Sequence, residues 1–455
     1  MRAGMHVDLD CMTCGAKIYY TLDGSMPTEA SPCYERMNGL VLLPEVAALR
    51  DMENEGMVVV RAFAQAPGWA PSDTVTFRYF FRRRPSNAYI STLLRPLSQQ
   101  APAILQLADA EDDKMYLLVG TERALLVDAG IDREGDLAGY VRGLIGDMPC
   151  DVVITHGHFD HYGQAWKLHQ AGFPIYMNHA DLELAMHNCF GYQDDLSFTT
   201  PLADGAIFEL GNASLRCYTV VGHTSAGTVL VDMEHGDAFS GDALGSNGNH
   251  VPDAQLLHLG NPEAFLDYYF PSLLQLLRKT QGRIRHLYTG HNDTVVDAAA
   301  YLPVVEQMLQ DGIDRGDAAR KPTLRAVSDG PTSSPTVLYA GNYRMAQDWA
   351  AVNVDQLFSD GLTSENLSLL AELYPTSGIL QPAFDPHITA YRWIGATPAD
   401  TLSVRPMSTR IAGITADGVD VEAGMPIPCV STCAICVTAP DRKTQTVYTV
   451  YRETN

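Results

Sequence analysis

Positive charge is scarce in this chain: 31 lysines and arginines stand against 54 aspartates and glutamates, a formal net charge of −23 over 455 residues. The mean field of such a chain repels polyanions, which argues against nucleic acid as substrate or partner and against anionic membrane surfaces. Long apolar runs are missing too. No stretch reaches the roughly 18 uninterrupted apolar residues of a spanning helix, and the opening MRAGMHVDLD has no basic region leading into an apolar run, so the chain as given shows no export signal. Nor is there a disulfide framework. The nine cysteines, at 11, 14, 33, 150, 189, 217, 429, 433 and 436, are odd in number and unevenly spread, which leaves at least one thiol free. Two CxxC pairs, Cys11 with Cys14 and Cys433 with Cys436, have zinc-type spacing at opposite ends of the chain; the plainer reading is thiols carried on strands.

What is present is folded material. Apolar residues make up 46% and charged residues 19%, and the length exceeds what one hydrophobic core serves, so several domains are expected. Residues 15 to 80 alternate short β-branched and aromatic runs (KIYYTLDGSMPT, MVVVRAFA, DTVTFRYFF) with turn signals, the pattern of a small antiparallel β-domain over 1–82. RRRPSNAYISTLLRPLSQQAP is basic and interrupted by proline, which predicts a linker over 83–102. From 103 the pattern becomes strand, helix, strand: KMYLLVGTERALLVDAG, DLAGYVRGLIG and DVVITHGH, with FLDYYFPSLLQLLRKTQ helical further on and TVLYAGNYRMAQ a last hairpin before about 358. From about 364 short strands return.

The chemistry concentrates in ITHGHFDHYGQ, where His156, His158, Asp160 and His161 follow directly on a strand. In an extended or turning backbone, residues i and i+2 share a side, so His156 and His158 can serve one metal while Asp160 and His161 turn toward a second, about 3.5–4 Å from the first. His223 in VVGHTSAG, Asp242 in FSGDALG and His291 in YTGHND each follow an apolar strand in the same way. One histidine after a strand is more often a cap or turn residue than a ligand; seven ligand types in such settings are a centre. Imidazoles and carboxylates without thiolate suit zinc, iron or manganese. His250, eight residues past Asp242, is a candidate substrate contact. Phe159 and Tyr162 flank the metal loop, where packing is the favoured role.

Taken in order, the HxHxDH loop, GHT, GD and GH resemble the signature of the metallo-β-lactamase superfamily, over roughly residues 103 to 358. The resemblance implies an αββα sandwich with His156, His158 and His223 on a first metal, Asp160, His161 and His291 on a second, and Asp242 bridging both. It also implies a small-molecule substrate (an ester, thioester, lactone or phosphodiester), attacked by metal-activated water with Asp160 orienting the nucleophile and shuttling its proton. Asp242 in place of a cysteine points toward glyoxalase II-like, lactonase-like or phosphodiesterase-like hydrolases and away from the commonest true β-lactamases. A mononuclear iron sulfur dioxygenase is the redox alternative.

IYYTLDGSMPT and its following strands resemble the chitobiase/β-hexosaminidase C-terminal type of Ig-like module, whose members have one more strand ahead of residue 1; truncation of the chain is therefore expected. Residues 364–455 resemble a cadherin-like β-sandwich through Leu380, Pro382, Phe384, Pro386 and Tyr391. The expected architecture is α+β and multidomain, a central αββα sandwich flanked by two small all-β sandwich domains. Modules of these types imply an extracellular or cell-surface setting, with cytoplasm the alternative that free thiols favour; their ordinary role is spacing and packing, and a cell-wall- or glycan-binding surface protein with a secondary metal domain is the alternative function, while oligomeric state is open.

Overall fold

The computed structural model describes residues 5–7, 9–11, 13, 15–34, 40–42, 55–82, 89–132, 135–186, 195–246, 254–259, 265–322, 336–339, 349–354 and 357–453. The chain divides into two compact units between residues 88 and 89. In the first, Lys17–Thr21, Glu55–Gln65 and Val75–Arg82 form an antiparallel sheet in that order, and Met5–Val7 pairs with Leu40–Leu42. Its small core gathers Val7, Leu9, Val60 and Ala62, the inward positions of an alternating pattern.

The second unit is built on two facing sheets. The first has seven strands, in the order Thr200–Pro201, Ile175–Met177, Cys150–Ile154, Ala124–Val127, Lys114–Val119, Ala103–Ala108 and Ile90–Arg95. The last strand corrects the linker expected over 83–102: Ile90–Arg95 pairs antiparallel with Ala103–Ala108 and forms a sheet edge. Gln99 and Gln100 fall just beyond it, in the turn at Ser98–Ala101, with Pro96 and Pro102 on either side of that turn, which is why composition hid it. The second sheet runs Ile207–Glu209, Ser214–Val220, Gly227–Asp232, Asp237–Gly241, His286–Thr289 and Val296–Asp297.

Among the described residues, six α-helices accompany the sheets: α1 (Leu137–Ile145), α2 (Phe159–Tyr162), α3 (Ala165–Gln170), α4 (Leu182–Met186), α5 (Leu266–Thr280) and α6 (Ala298–Arg315). Strand periodicity sorts the side chains into layers. Tyr116, Leu118, Leu125, Val127 and Val153 pack inward against Leu215, Leu230, Phe239 and Tyr288 of the other sheet. Their neighbours Met115, Leu117, Leu126, Val152 and Ile154 face outward under α1 and α3. The second sheet turns Val220, Val229, Val231 and Ala238 to α5 and α6. Strands buried on both faces read as unbroken apolar runs, which accounts for ALLV and CDVVI. At about 1.5–3 kcal/mol for each large side chain withdrawn from water, these three layers supply the rigidity on which the strand ends depend.

The expected last hairpin takes the form of Thr336–Tyr339 antiparallel to Trp349–Val354, in a four-stranded sheet with Arg320–Pro322 and Ala254–Leu259. Residues 370–452 form a three-stranded and a six-stranded sheet around Tyr391, Trp393 and Tyr448. These are packed onto α5 and α6. Leu367, Leu369, Ala371 and Met407 join the core of those helices, Arg278 pairs with Glu372 at 2.7 Å, and Arg405 pairs with Glu306 at 2.8 Å. The structure also removes Cys433 and Cys436 as a chelating pair. Three residues apart on strand Thr432–Thr438 they point to opposite faces, Cys433 buried and Cys436 half-buried. Cys14 lies outside the described residues.

Candidate metal centre

Every candidate ligand sits just beyond a strand, on the same edge of the two-sheet core. Strand Cys150–Ile154 is fully buried and ends at Thr155, whose N–H and Oγ1–H both donate to Asp128, at 2.7 and 2.9 Å. Asp128 ends the neighbouring strand with φ +66°, a conformation that aspartate tolerates better than most residues. The backbone then turns, and His161 N–H bonds to His158 C=O as α2 begins, which sets His158 and His161 toward a common space. From the second sheet come His223 after Ser214–Val220, Asp242 after Asp237–Gly241, and His291 after His286–Thr289. Close approach constrains the loops: a Cβ on Gly290 would lie 2.5 Å from both Asp242 Oδ1 and His161 Cε1.

All seven predicted residues are brought together. His158 Nδ1 is 2.9 Å from His156 Nε2 and 3.0 Å from His223 Nε2, so three imidazole nitrogens converge. Beside them, His291 Nε2 lies 3.3 Å from Asp160 Oδ2, and His161 Nε2 lies 3.8 Å from the same oxygen. Asp242 Oδ2 reaches both groups, at 3.7 Å from His223 Nε2, 3.7 Å from His161 Nε2 and 3.2 Å from His291 Nε2.

The outward ring nitrogens are anchored. His156 Nδ1 meets Thr155 Oγ1 at 3.1 Å, His161 Nδ1 meets Asp128 Oδ2 at 2.8 Å, His223 Nδ1 meets the His258 carbonyl at 2.8 Å, and His291 Nδ1 meets Asp113 Oδ1 at 3.2 Å. Such partners fix ring orientation and tautomer. Asp128 and Asp113 went unread in the sequence. Asp128 had a signal, as the last residue of the apolar run ALLVD; Asp113, within EDDK, had none. Tyr162 is buried and donates to the Ala185 carbonyl at 3.1 Å, and Phe159 is half-buried against the α1–α3 core, so both pack as expected. His250 lies outside the described residues.

Electrostatics separate the two groups. Burial, reinforced by the neighbouring imidazoles, pushes His156 down and takes His158 to about 3. Burial also raises the Asp160 carboxyl, but His161 and His291 outweigh it and hold Asp160 below the usual carboxylate range. Asp242 is held low in the same way, against its own burial. Conversely His161 and His291 are pushed up, the carboxylates around them overcoming desolvation. Asp113 is lifted to about 7, by burial first and against the pull of His291. Even so, His161 Nε2 and Asp242 Oδ1 are buried without a hydrogen-bond partner among the described residues. Orphaned buried polar atoms are rare and costly. Five imidazoles and two carboxylates converging on such atoms fit divalent metal.

Residues 114–291 match the metallo-beta-lactamase superfamily. The matched stretch includes all seven converging residues and most strands of the two-sheet core. Residues 7–79 match the family described as Fn3 associated. Among curated proteins, the acyl-coenzyme A thioesterase MBLAC2 of Gallus gallus is 27% identical over 158 residues, 29% of this chain and 57% of the relative. The probable polyketide biosynthesis zinc-dependent hydrolase BaeB of Bacillus velezensis is 25% identical over 142 residues, 31% of this chain and 56% of the relative. The chain therefore spans little more than half the length of either. Solved structures similar to it include a metallo-beta-lactamase from Pontibacter korlensis, at 19% identity, covering 49% of this chain and 99% of that one with a TM-score of 0.37. Another is the DIM-1 metallo-beta-lactamase, at 16% identity, covering 48% and 98% with the same TM-score.

Proposed function

We propose that this protein is a hydrolase with a dinuclear metal centre in its metallo-β-lactamase region, acting on an ester-type bond of a small molecule. The observation that carries the reading is Asp242 Oδ2, within reach of His223 on one side and of His161 and His291 on the other. His156, His158 and His223 would hold one ion, Asp160, His161 and His291 the second, and Asp242 would bridge them. Bound divalent ions lower the pKa of a shared water toward about 7 and polarise a carbonyl or phosphoryl oxygen.

The chain's own residues supply the rest. Asp160 is kept ionised by His161 and His291 and retains 21% side-chain exposure, so its carboxylate can accept a hydrogen bond from the attacking water and orient it. Asp128 and Asp113 hold the rings of His161 and His291 so that Nε2 of each faces the centre. The two curated relatives are named as a thioesterase and as a zinc-dependent hydrolase, which makes thioesters the first substrates to try and zinc the first metal. The test is hydrolysis of thioesters, lactones, β-lactams and phosphodiesters by the metal-depleted chain with and without zinc or manganese. Turnover restored by metal is expected. Full turnover in metal-free protein would overturn the reading, and one iron per chain with oxygen consumption would favour a sulfur dioxygenase instead.

A further inference from the structure

We infer that Asp181 is a positioning residue for the three-histidine half of the centre, clamping the loop of His156 and His158 to the loop of His223. The inference rests on the metal-centre reading above and assigns a role to a side chain that contacts no proposed ligand atom.

Asp181 closes a short 3-10 turn, His179–Asp181, that follows strand Ile175–Met177, and it is 1% exposed. Its Oδ2 accepts two hydrogen bonds from two different loops: from the N–H of Gly157 at 3.1 Å and from Thr224 Oγ1 at 2.6 Å. Gly157 stands between His156 and His158; Thr224 follows His223. The first loop leaves the seven-stranded sheet and the second leaves the six-stranded sheet, so this carboxylate joins the two halves of the core next to the ligands themselves. Packing supports the same contact independently. A Cβ on Gly157 would lie 2.6 Å from the Asp181 carbonyl oxygen, so the turn is pressed against the metal loop where the hydrogen bond forms.

The geometry being held has little slack. Three nitrogens from two loops meet at 2.9 and 3.0 Å, and a site of this kind tolerates displacements of only about 0.5 Å. Gly157 and Thr224 adjoin His156, His158 and His223, whereas the rings of His161 and His291 are held directly by Asp128 and Asp113, so the effect of losing Asp181 falls mainly on the three-histidine side.

The test is a competition titration of zinc against a chromophoric chelator, with metal content per chain, on the full-length parent, Asp181→Ala, Asp181→Asn and Thr224→Val. Asp181→Ala should weaken one zinc equivalent by about 10–100-fold and leave the other nearly unchanged. Asp181→Asn keeps an oxygen acceptor for the same two donors and should largely restore the parent's affinity. Thr224→Val, which deletes only a hydroxyl donor, should show the same one-sided loss in smaller degree, and it decides the matter if Asp181→Ala does not fold. A folded Asp181→Ala or Thr224→Val chain that binds both ions like the parent, or loses both equally, overturns the inference alone. A parent chain that binds no divalent metal overturns the centre itself.

Discussion

Replacing Asp128 with asparagine exchanges one carboxylate oxygen for an NH2 group at a point where three donors converge. Thr155 N–H uses Oδ1 at 2.7 Å, while Thr155 Oγ1 and His161 Nδ1 use Oδ2 at 2.9 and 2.8 Å. Asparagine tolerates the φ of +66° as aspartate does, so the backbone is not the source of any effect. If the amide oxygen takes the Oδ2 position, the new NH2 opposes the Thr155 N–H, and a buried donor without an acceptor costs about 1–3 kcal/mol. If it takes the Oδ1 position, the NH2 faces His161 Nδ1, which must then lose its proton and carry one on Nε2, the nitrogen turned to the centre. The second arrangement spoils a ligand. Loss of such an orienting partner weakens metal binding by about 10–100-fold, equivalent to about 1.4–2.7 kcal/mol. Zinc competition titration measures the affinity and urea denaturation the stability. A D128N chain that keeps both its zinc affinity and its stability would refute the reasoning, since no orientation of the amide satisfies all three donors.

Chelation should abolish turnover and lower the melting temperature, because an ion bound only by the folded chain stabilises it by about 2.7 kcal/mol at a hundredfold excess over Kd; calorimetry before and after dialysis against chelator checks this, and an unchanged melting temperature contradicts it. Gly290→Ala places a methyl group 2.5 Å from Asp242 Oδ1 and His161 Cε1, which predicts a loss of about 1–3 kcal/mol together with reduced metal content. Denaturation with metal analysis tests both. The C-terminal sheets should dock on α5 in a pH-dependent way through His387 Nε2, 3.0 Å from Asp267 Oδ2. Donating a hydrogen bond to the Asp267 carboxylate raises His387 above 6.5, so its contribution is complete below pH 6.5 and fades as pH rises through the folded-state value. Asp267 is raised by burial but lowered further by His387 and Ser359 to below 3.8, so its share fades only in acid. The melting-temperature difference between the parent and His387→Gln should therefore shrink from pH 6 to 9; a constant difference would count against the pair.

The seven residues that converge at the candidate centre were legible in the chain because strand ends are legible. Apolar runs such as CDVVI and HLYT announce strands buried on both faces, and the polar ligand types directly after them announce themselves as strand-end groups. What periodicity does not carry is contact between distant segments. The edge strand Ile90–Arg95 was hidden by the prolines and glutamines around it, and its place in the sheet is set by pairing with Ala103–Ala108. Asp113 and Asp181 look like any other aspartates in the sequence. They became meaningful only when their loops were seen against His291, Gly157 and Thr224.

By itself, then, the sequence determined the candidate ligand set, its chemical type and its order along the chain, since imidazole and carboxylate after buried strands are properties of local residues. Only the tertiary structure decided which nitrogens meet within 3 Å, that Asp242 reaches both groups, and which carboxylates hold the ligands in place. Those facts depend on two sheets facing each other across a packed core, and no local pattern encodes the distance between them.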